Sequence, residues 1–385
     1  MTPFLPFHRP DIGEDDIAAV VETLRSGWLT TGSKTQLFEE KFLAQIGARH
    51  AVAVNSCTAA LHLALEAVGV TAGDEVIVPT MTFAATAEVV HYLNASPVLV
   101  DCQEDTLNID IQSVERAISS KTKAIIPVHF AGLPCEMDLL LAIARQHDIK
   151  VIEDAAHALP AQYRGEKVGT IGDITCFSFY ATKTITTGEG GMATTDNAEW
   201  AERMRILSLH GISREAVNRY SPEGSWRYDI CYPGYKYNLT DIASALGISQ
   251  LRKCDRFRMV RQHYAGLYSD AFQKIPEIIL PSANTEVEHA WHLYVIQLDL
   301  ERLRIGRNEF IVLLKEQGIG VSVHFHPLHL HPYYRKTYRF RPDDFPIATK
   351  VCERIISLPI YPKMTESDIK RVIEAVTMLI SQHRR

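Results

Sequence analysis

No stretch of the 385 residues approaches the roughly 20 consecutive apolar residues that a membrane-spanning helix requires, so no membrane association is expected. A basic surplus is missing too. Lys and Arg number 40 against 46 Asp and Glu, a formal net charge of -6. General nucleic-acid binding needs a basic surface and is not expected. The seven cysteines include no Cys-x-x-Cys pair, and an odd, unpatterned set reads as the reduced thiols of a cytoplasmic protein. The first ten residues lack a basic segment followed by an apolar core, so no secretory signal is expected. Internal repeats, low-complexity tracts and long linkers are absent. What remains is ordinary globular composition, 46% hydrophobic and 22% charged, with length enough for a large core and two or three domains.

Strand and helix patterns alternate through the first two thirds of the chain. Apolar periodicity predicts a helix over 11–25, with Ile12, Ile17, Val20, Val21 and Leu24 on one stripe, and another over 36–46. Short apolar runs predict strands at 51–54, 75–78, 97–100, 124–128, 151–154, 174–179 and 192–195. Helices are expected between them at 86–93, 111–118, 137–147 and 198–207. This order predicts a mostly parallel sheet with helices on both faces. The long polar and aromatic segment 211–237 reads as a loop that is either functional or disordered. A single long helix is expected over 241–272. After it, strands at 293–298 and 321–324 with helices at 307–317 and 366–381 predict a smaller α+β unit. The expected division is a large domain over 1–250, whose N-terminal segment packs on the small one, and a small domain over 251–385.

Two stretches carry chemistry. In Cys176-Phe-Ser-Phe-Tyr-Ala-Thr-Lys-Thr-Ile-Thr-Thr-Gly-Glu-Gly-Gly191, a buried strand leads directly to Lys183, followed by hydroxyls and glycines. Partial desolvation would lower the pKa of that amine and free the neutral nucleophile. Upstream, in Lys150-Val-Ile-Glu-Asp-Ala-Ala-His-Ala158, Asp154 stands where another strand ends. Ligands of open α/β sheets collect at the carboxyl ends of strands. A lysine on one such end and a carboxylate on another meet the needs of pyridoxal 5'-phosphate (PLP). That cofactor takes a lysine for its Schiff base and an Asp against its ring nitrogen. A third stretch, Asn55-Ser-Cys-Thr-Ala59, turns from strand into helix, and a helix start can hold a phosphate.

Glu153-Asp-Ala-Ala-His157, Ser178-Phe-Tyr-Ala-Thr-Lys183 and Thr187-Gly-Glu-Gly-Gly191 together resemble the nucleotide-sugar aminotransferases of the DegT/StrS family, fold-type I PLP enzymes. The resemblance runs nearly end to end. Pro233-Gly-Tyr-Lys-Tyr-Asn-Leu-Thr-Asp241 and Ala290-Trp-His-Leu293 are similar in particular to enzymes that aminate C4 of UDP-4-keto sugars, such as the aminoarabinose-forming and pseudaminic-acid-pathway transaminases. The resemblance implies an α/β fold-type I transferase with a three-layer large domain. It implies L-glutamate as amino donor, a nucleotide-linked 4-keto sugar as acceptor, and a cytoplasmic homodimer with shared sites. Carried over by residue, it implies Lys183 as Schiff-base lysine and proton carrier, Asp154 at the ring nitrogen and His157 beside the ring. Phe83 would stack on the ring. Thr58, the Ala59 backbone and Ser178 would hold the phosphate, with Asn238 reaching it from a partner subunit. The substrate side would comprise Trp28, Leu29, Thr30, Cys57, Lys236, His324, Phe325 and His326, with Arg214 a further candidate for the diphosphate. Ser33 departs from the family pattern, in which a proline commonly follows Gly32.

Other readings are open to these residues. Cys57 and Cys176 also read as small apolar residues without a redox role. Val323-His-Phe-His-Pro-Leu-His-Leu-His331 holds four histidines, and His324 and His326 would share one face of a strand and could chelate. No acidic or cysteine ligand is near in sequence, and no metal is expected. PLP sugar dehydratases of related sequence carry a histidine in place of the lysine, against which Lys183 argues. An aminotransferase acting on another keto position or a non-nucleotide cyclic ketone, and an inactive PLP-fold sensor, complete the alternatives.

Overall fold

The computed structural model of the chain describes residues 3–212, 228–282 and 286–385. Arg214 lies outside them. The strands in chain order begin with β1 (His50–Val54), β2 (Glu75–Pro79), β3 (Ser96–Val100), β4 (Thr122–Ile125) and β5 (Lys150–Asp154). A short ribbon, β6 (Gln162–Tyr163) and β7 (Glu166–Lys167), separates these from β8 (Ile174–Ser178) and β9 (Gly191–Thr195). The central sheet has the order β1-β9-β8-β5-β4-β2-β3, and only the pairings made by β9 are antiparallel. Runs such as Val76-Ile77-Val78 and Val151-Ile152 are fully buried, as parallel strands covered on both faces must be. The helix Cys57–Ala67 is apolar almost all round and nearly every residue in it is buried, so it packs within the core rather than on its surface.

This topology places the carboxyl ends of β1, β5 and β8 on one edge. β9 runs the other way and brings its first residue to the same edge, where Gly191 pairs with both Val54 and Ser178. A Cβ on Gly191 would stand 2.5 Å from the carbonyl carbon and oxygen of Ser56 and 2.6 Å from the Cys57 nitrogen. Glycine therefore sets how closely β9 approaches the start of the central helix.

A second, antiparallel sheet joins β10 (Ile278–Ile279), β12 (Tyr294–Leu298) and β13 (Ile355–Leu358), while β11 (Val287–Glu288) pairs with β6. Helices Cys254–Phe272, Arg307–Glu316 and Glu366–His383 cover this sheet around Tyr268, Phe272, Phe310, Val372 and Val376. Leu5 is part of that core, and its backbone bonds Gly318 and Gly320 at 2.8 Å each.

The expected helix over 241–272 is two helices, Asp241–Leu251 and Cys254–Phe272. Neither Gly nor Pro marks the break. Lys253 at the break instead pairs with Asp15 and Asp16 of the helix Glu14–Ser26, which crosses at that point. The expected strand at 321–324 is reduced to one bridge, Ser322 to Ser357, because its side chains are drawn into contacts described below. The strand β13 had no counterpart in the sequence reading, since four residues carry too little pattern.

Asp241 ties the N-terminal half to the second. Its carboxylate accepts from the backbone N–H groups of Gly32 (2.7 Å), Lys34 (3.1 Å) and Thr35 (3.0 Å) and from the Thr35 hydroxyl (2.8 Å). A distant side chain thus supplies the N-terminal cap of the helix Ser33–Ile46, whose own preceding residue, Gly32, has no side chain to do so. Replacing Asp241 with Ala leaves these buried donors unpaired and should destabilise the protein by about 2–3 kcal/mol. Urea denaturation checks this, and a loss below about 0.5 kcal/mol would refute the capping role.

Candidate active site

Asp154 closes β5, where its carboxylate is buried and doubly held. The Thr86 hydroxyl donates to Oδ2 at 2.9 Å and the Ala156 N–H to Oδ1 at 3.1 Å. Thr86 in turn bonds Thr82 at 2.7 Å. Burial pushes the Asp154 carboxyl above the usual carboxylate range, against the pull of the Ala156 N–H, Thr86 and Lys183. A carboxylate so placed gains from a cation on its open side.

Lys183 follows β8 in a loop closed by backbone bonds. Phe179 N–H donates to Gly190 O at 2.9 Å, Thr187 N–H to Phe179 O at 3.0 Å and Lys183 N–H to Tyr180 O at 2.9 Å. Burial pushes the Lys183 amine down from the ordinary lysine value of 10.5 to about 8, against the opposing pull of Cys57 and Asp154. Part of the side chain stays open to solvent. The push therefore comes from the packed protein around the amine rather than from complete enclosure.

A wall of aromatic and imidazole rings faces the pair. His157 stacks on Phe325 with centroids 5.8 Å apart and planes at 17°, and lies 4.4 Å from His292 and 6.4 Å from His324. Phe325 also meets Phe130 (6.2 Å) and Phe83 (6.3 Å). Burial and the nearby Lys183 hold His157 well below the usual histidine range, so its ring is neutral. His157 Nδ1 is buried and finds no hydrogen-bond partner within the described protein. Phe83 leaves 64% of its surface exposed, an unusual state for an aromatic ring beside a buried wall.

At the start of the central helix, Ser56 Oγ accepts the Ala59 N–H at 3.0 Å. The Ala59 amide expected at a phosphate is thus already engaged. The amides of Cys57 and Thr58 precede the first intrahelical bond and point out of the same turn. Ser178 ends β8 opposite Gly191, with Oγ accepting the Tyr180 N–H at 3.3 Å. Cys57 is buried and directs its thiol to Cys176 O at 3.5 Å, so it lies in the floor rather than on an open face.

The remaining expected residues divide. His324 belongs to the wall, with Nδ1 2.8 Å from Ser357 Oγ and its ring stacked on Phe7. His326 leaves it, and its exposed ring lies 4.7 Å from that of His331. His329 turns inward to Thr80 (2.8 Å) and Thr349 (2.9 Å). The four histidines therefore do not converge on one point, with only His326 and His331 adjacent, and no metal-holding group of three His, Cys, Asp or Glu side chains occurs among the described residues. Asn238 bridges to Val54 at the end of β1 and donates to Thr31 Oγ1 at 2.7 Å. That bond holds the exposed Trp28-Leu29-Thr30 turn at the same edge. Lys236 is exposed, and its carbonyl accepts from Asn55 at 3.2 Å. Sequence reasoning missed Thr86, His292 and Phe130. A threonine spaced four from Thr82 and the His of Ala290-Trp-His-Leu293 were the available signals. Nothing local distinguished Phe130.

A lysine held near pH 8, a buried carboxylate and a helix start meeting at one sheet edge define the class of a PLP enzyme. The family model DegT/DnrJ/EryC1/StrS aminotransferase matches residues 10–377. The chain is 50% identical over 378 residues to the spore coat polysaccharide biosynthesis protein SpsC of Bacillus subtilis, covering 98% of this chain and 97% of that one. Among solved structures, the PLP form of a Streptococcus pneumoniae protein described as a sugar aminotransferase superposes with a TM-score of 0.92. It is 37% identical, with 98% of this chain and 99% of that one covered. Helicobacter pylori PseC, an aminotransferase of pseudaminic acid biosynthesis, superposes with a TM-score of 0.92 at 28% identity, covering 99% and 100%. The chain belongs to the DegT/DnrJ/EryC1/StrS family and is a PLP-dependent aminotransferase of the fold-type I architecture.

The residues present fit that cofactor. The unpartnered His157 Nδ1 suits a polar ring substituent, the raised Asp154 suits a protonated ring nitrogen, and Gly191 leaves room for the turn at Ser56–Thr58. Two outcomes are expected. The neutral amine is the nucleophile, so PLP capture by cofactor-free protein should accelerate with pH and level off above about 8. The growth of visible absorbance measures this, and a midpoint near the ordinary lysine value would show that the amine is not desolvated. Gly191→Ala should push the helix start from β9, cost about 1–3 kcal/mol and weaken PLP binding about tenfold. Fluorescence titration reads the second effect, and unchanged binding would remove Gly191 from the site.

Proposed function

We propose that the enzyme transfers an amino group from L-glutamate to a nucleotide-linked 4-keto sugar. The products are a nucleotide 4-amino sugar and 2-oxoglutarate. The observation that carries this reading is the ring wall of His157, His324 and Phe325 facing Lys183 beside the open Phe83, a polar and aromatic surface suited to a sugar ring. The likeness to a polysaccharide-pathway protein and to pseudaminic-acid and sugar aminotransferases supports it.

Bound PLP supplies an electron sink for the carbanion formed at the donor Cα. Asp154 would hold the ring nitrogen protonated, and His157 and Phe83 would pack against the ring. Thr58, with the helix-start amides around Ala59, and Ser178 take the phosphate. Lys183 carries the proton from the donor Cα, and its position at the reacting atom supplies much of the rate. Trp28, Leu29, Thr30, Lys236, His324 and Phe325 form the sugar-nucleotide side, with Cys57 in its floor and His326 at its outer rim. Asn238 completes the phosphate site of a second copy in a homodimer. The exposed Trp28, Leu29 and Tyr180 supply apolar surface for such an interface. The division near residue 250 separates a cofactor-holding part from a substrate-covering part; the two sheets support it, while one apolar core holding Val52 and Leu61 together with Leu293, Val295 and Ile355 runs across the boundary. The substrates are cytoplasmic metabolites, and the enzyme works in that compartment.

The purified holoenzyme should show a visible cofactor band that L-glutamate bleaches and that a UDP-4-keto sugar restores. Lys183→Ala should abolish both changes, with turnover lowered by at least about a thousandfold. Bleaching without restoration by any UDP- or dTDP-linked 4-keto sugar, together with turnover of a non-nucleotide cyclic ketone, would refute the acceptor. No bleaching would refute the donor.

A further inference from the structure

Beneath Asp154, on the opposite face of β5, lies a fully buried polar cluster that the chemistry above does not use. Successive side chains of a strand point to opposite faces, so Glu153 faces away from the cofactor side. Its carboxylate is nevertheless engaged on both oxygens. Oε1 accepts from the Thr175 hydroxyl at 2.6 Å and from the Gly172 N–H at 2.8 Å, while Oε2 lies 2.8 Å from His129 Nε2. Neither Glu153 nor His129 exposes any side-chain surface. The cluster is shaped for the carboxylate as well as bonded to it. A Cβ on Gly172 would stand 3.0 Å from both Glu153 Cγ and Oε1.

Its charge state follows from the donors. Every partner of the carboxylate gives a proton, so Glu153 is ionised. Burial opposes this, and the bonds from His129, Thr175 and Gly172 outweigh it, holding the carboxyl below the usual range. The Cys135 N–H lies 3.1 Å from His129 Nδ1, so the ring proton directed at Glu153 is the one on Nε2, and although burial opposes it, Cys135 and the Glu153 carboxylate push the ring's pKa up to about 10.

His129 also grips the next residue along the strand. Its backbone N–H donates to Asp154 O at 3.2 Å, while the Asp154 N–H donates to Pro127 O at 2.9 Å. One residue thus holds the side chain of Glu153 and the main chain of Asp154. The other donors come from the β8 side, where Thr175 is the register partner of Glu153 and where the strand runs on to Ser178. The His129 segment continues into Phe130, which packs on Phe325, and Ala131, whose carbonyl accepts the Leu293 N–H at 3.2 Å.

We propose that Glu153 is a positioning residue for the transamination site: with His129 and Thr175 it sets the height and direction of Asp154 against the cofactor ring nitrogen. Glu153 does not touch the cofactor. It fixes three segments relative to one another: the end of β5 with Asp154, the strand leading to Ser178 and Lys183, and the segment supporting Phe325. The inference rests on the placement of Asp154 at the ring nitrogen.

Glu153→Gln is the direct test. Glutamine keeps the shape but presents an N–H group where the cluster offers only donors. The conflict then passes through His129 to the Cys135 amide or to Asp154. The holoenzyme of this variant should lose PLP at least about tenfold faster than wild type, given the worth of hydrogen bonds to a charged group. The visible circular dichroism of its bound cofactor, which reports how firmly the ring is held, should fall. The far-ultraviolet spectrum at the same temperature should not change. Where Glu153→Gln gives no soluble holoenzyme, Thr175→Val and Thr175→Ser take its place. Valine removes one donor and should produce the same two changes, and serine restores the hydroxyl and should reverse them. Cofactor loss and visible dichroism within about twofold of wild type in these variants, while Asp154→Asn alters both, would overturn the inference. If Asp154→Asn alters neither, the placement of Asp154 fails and the inference falls with it.

Discussion

A carboxylate at the end of a fully buried strand is unfavourable unless donors and a cation meet it, and much of this molecule answers that requirement. Among the described residues, no arginine or permanently charged partner is bonded to Asp154. Thr86 and the Ala156 amide hold its oxygens, and Lys183 acts on it only through space. Two groups that would each prefer water are packed into the protein near one another, one with its affinity for protons raised and the other with it lowered. Such opposed displacements mark sites where charge is meant to appear and vanish during a reaction. A cofactor whose ring nitrogen carries a proton relieves the carboxylate, and one whose aldehyde condenses with the amine relieves the lysine.

That arrangement depends on a feature of topology. The sheet is parallel apart from β9, and the single reversed strand brings Gly191 to the edge where the other strands end. There it lies between Val54, which leads into the central helix, and Ser178, which leads to Lys183. A side chain at this point would separate the two. The start of the central helix and the lysine loop can therefore share one edge only because the strand between them begins with glycine. The apolar central helix can be aimed at this edge because no face of it needs solvent.

Most of this frame was legible from the sequence because it rests on local signals. Buried parallel strands show as short apolar runs, such as Val76-Ile77-Val78 in β2 and Val151-Ile152 in β5. Lys183 and Asp154 stood out because polar groups directly after such runs have little structural reason to be there. Where the signal was not local, it failed. The helix break at Arg252–Lys253 carries no breaking residue and follows from the crossing of the first helix. The run 321–324 alternates like a strand, yet His324 and Phe325 are drawn into the ring wall and only Ser322 pairs. His326 shared a motif with His324 but not a location. Glu153 sat in full view beside Asp154, and only three-dimensional contacts reveal that His129, 24 residues earlier, binds it.

The division between what could and could not be read is also a division of chemistry. The cofactor side is built from consecutive residues at strand ends, so its pattern survives in one dimension. The facing wall is assembled from distant segments: Phe7 near the start, Phe83, Phe130, His157, His292, and the turn at His324–Phe325. The segment that brings Phe7 is anchored to the second sheet's helices through Leu5, Gly318 and Gly320. The ring wall facing Lys183 is therefore positioned by packing between the two halves of the protein. A change of substrate can arise there from shifts that leave Lys183, Asp154 and their strands untouched. An aminotransferase fold can in this way keep the chemistry of the sheet edge constant while the facing surface varies, since the two are built from separate segments of the chain.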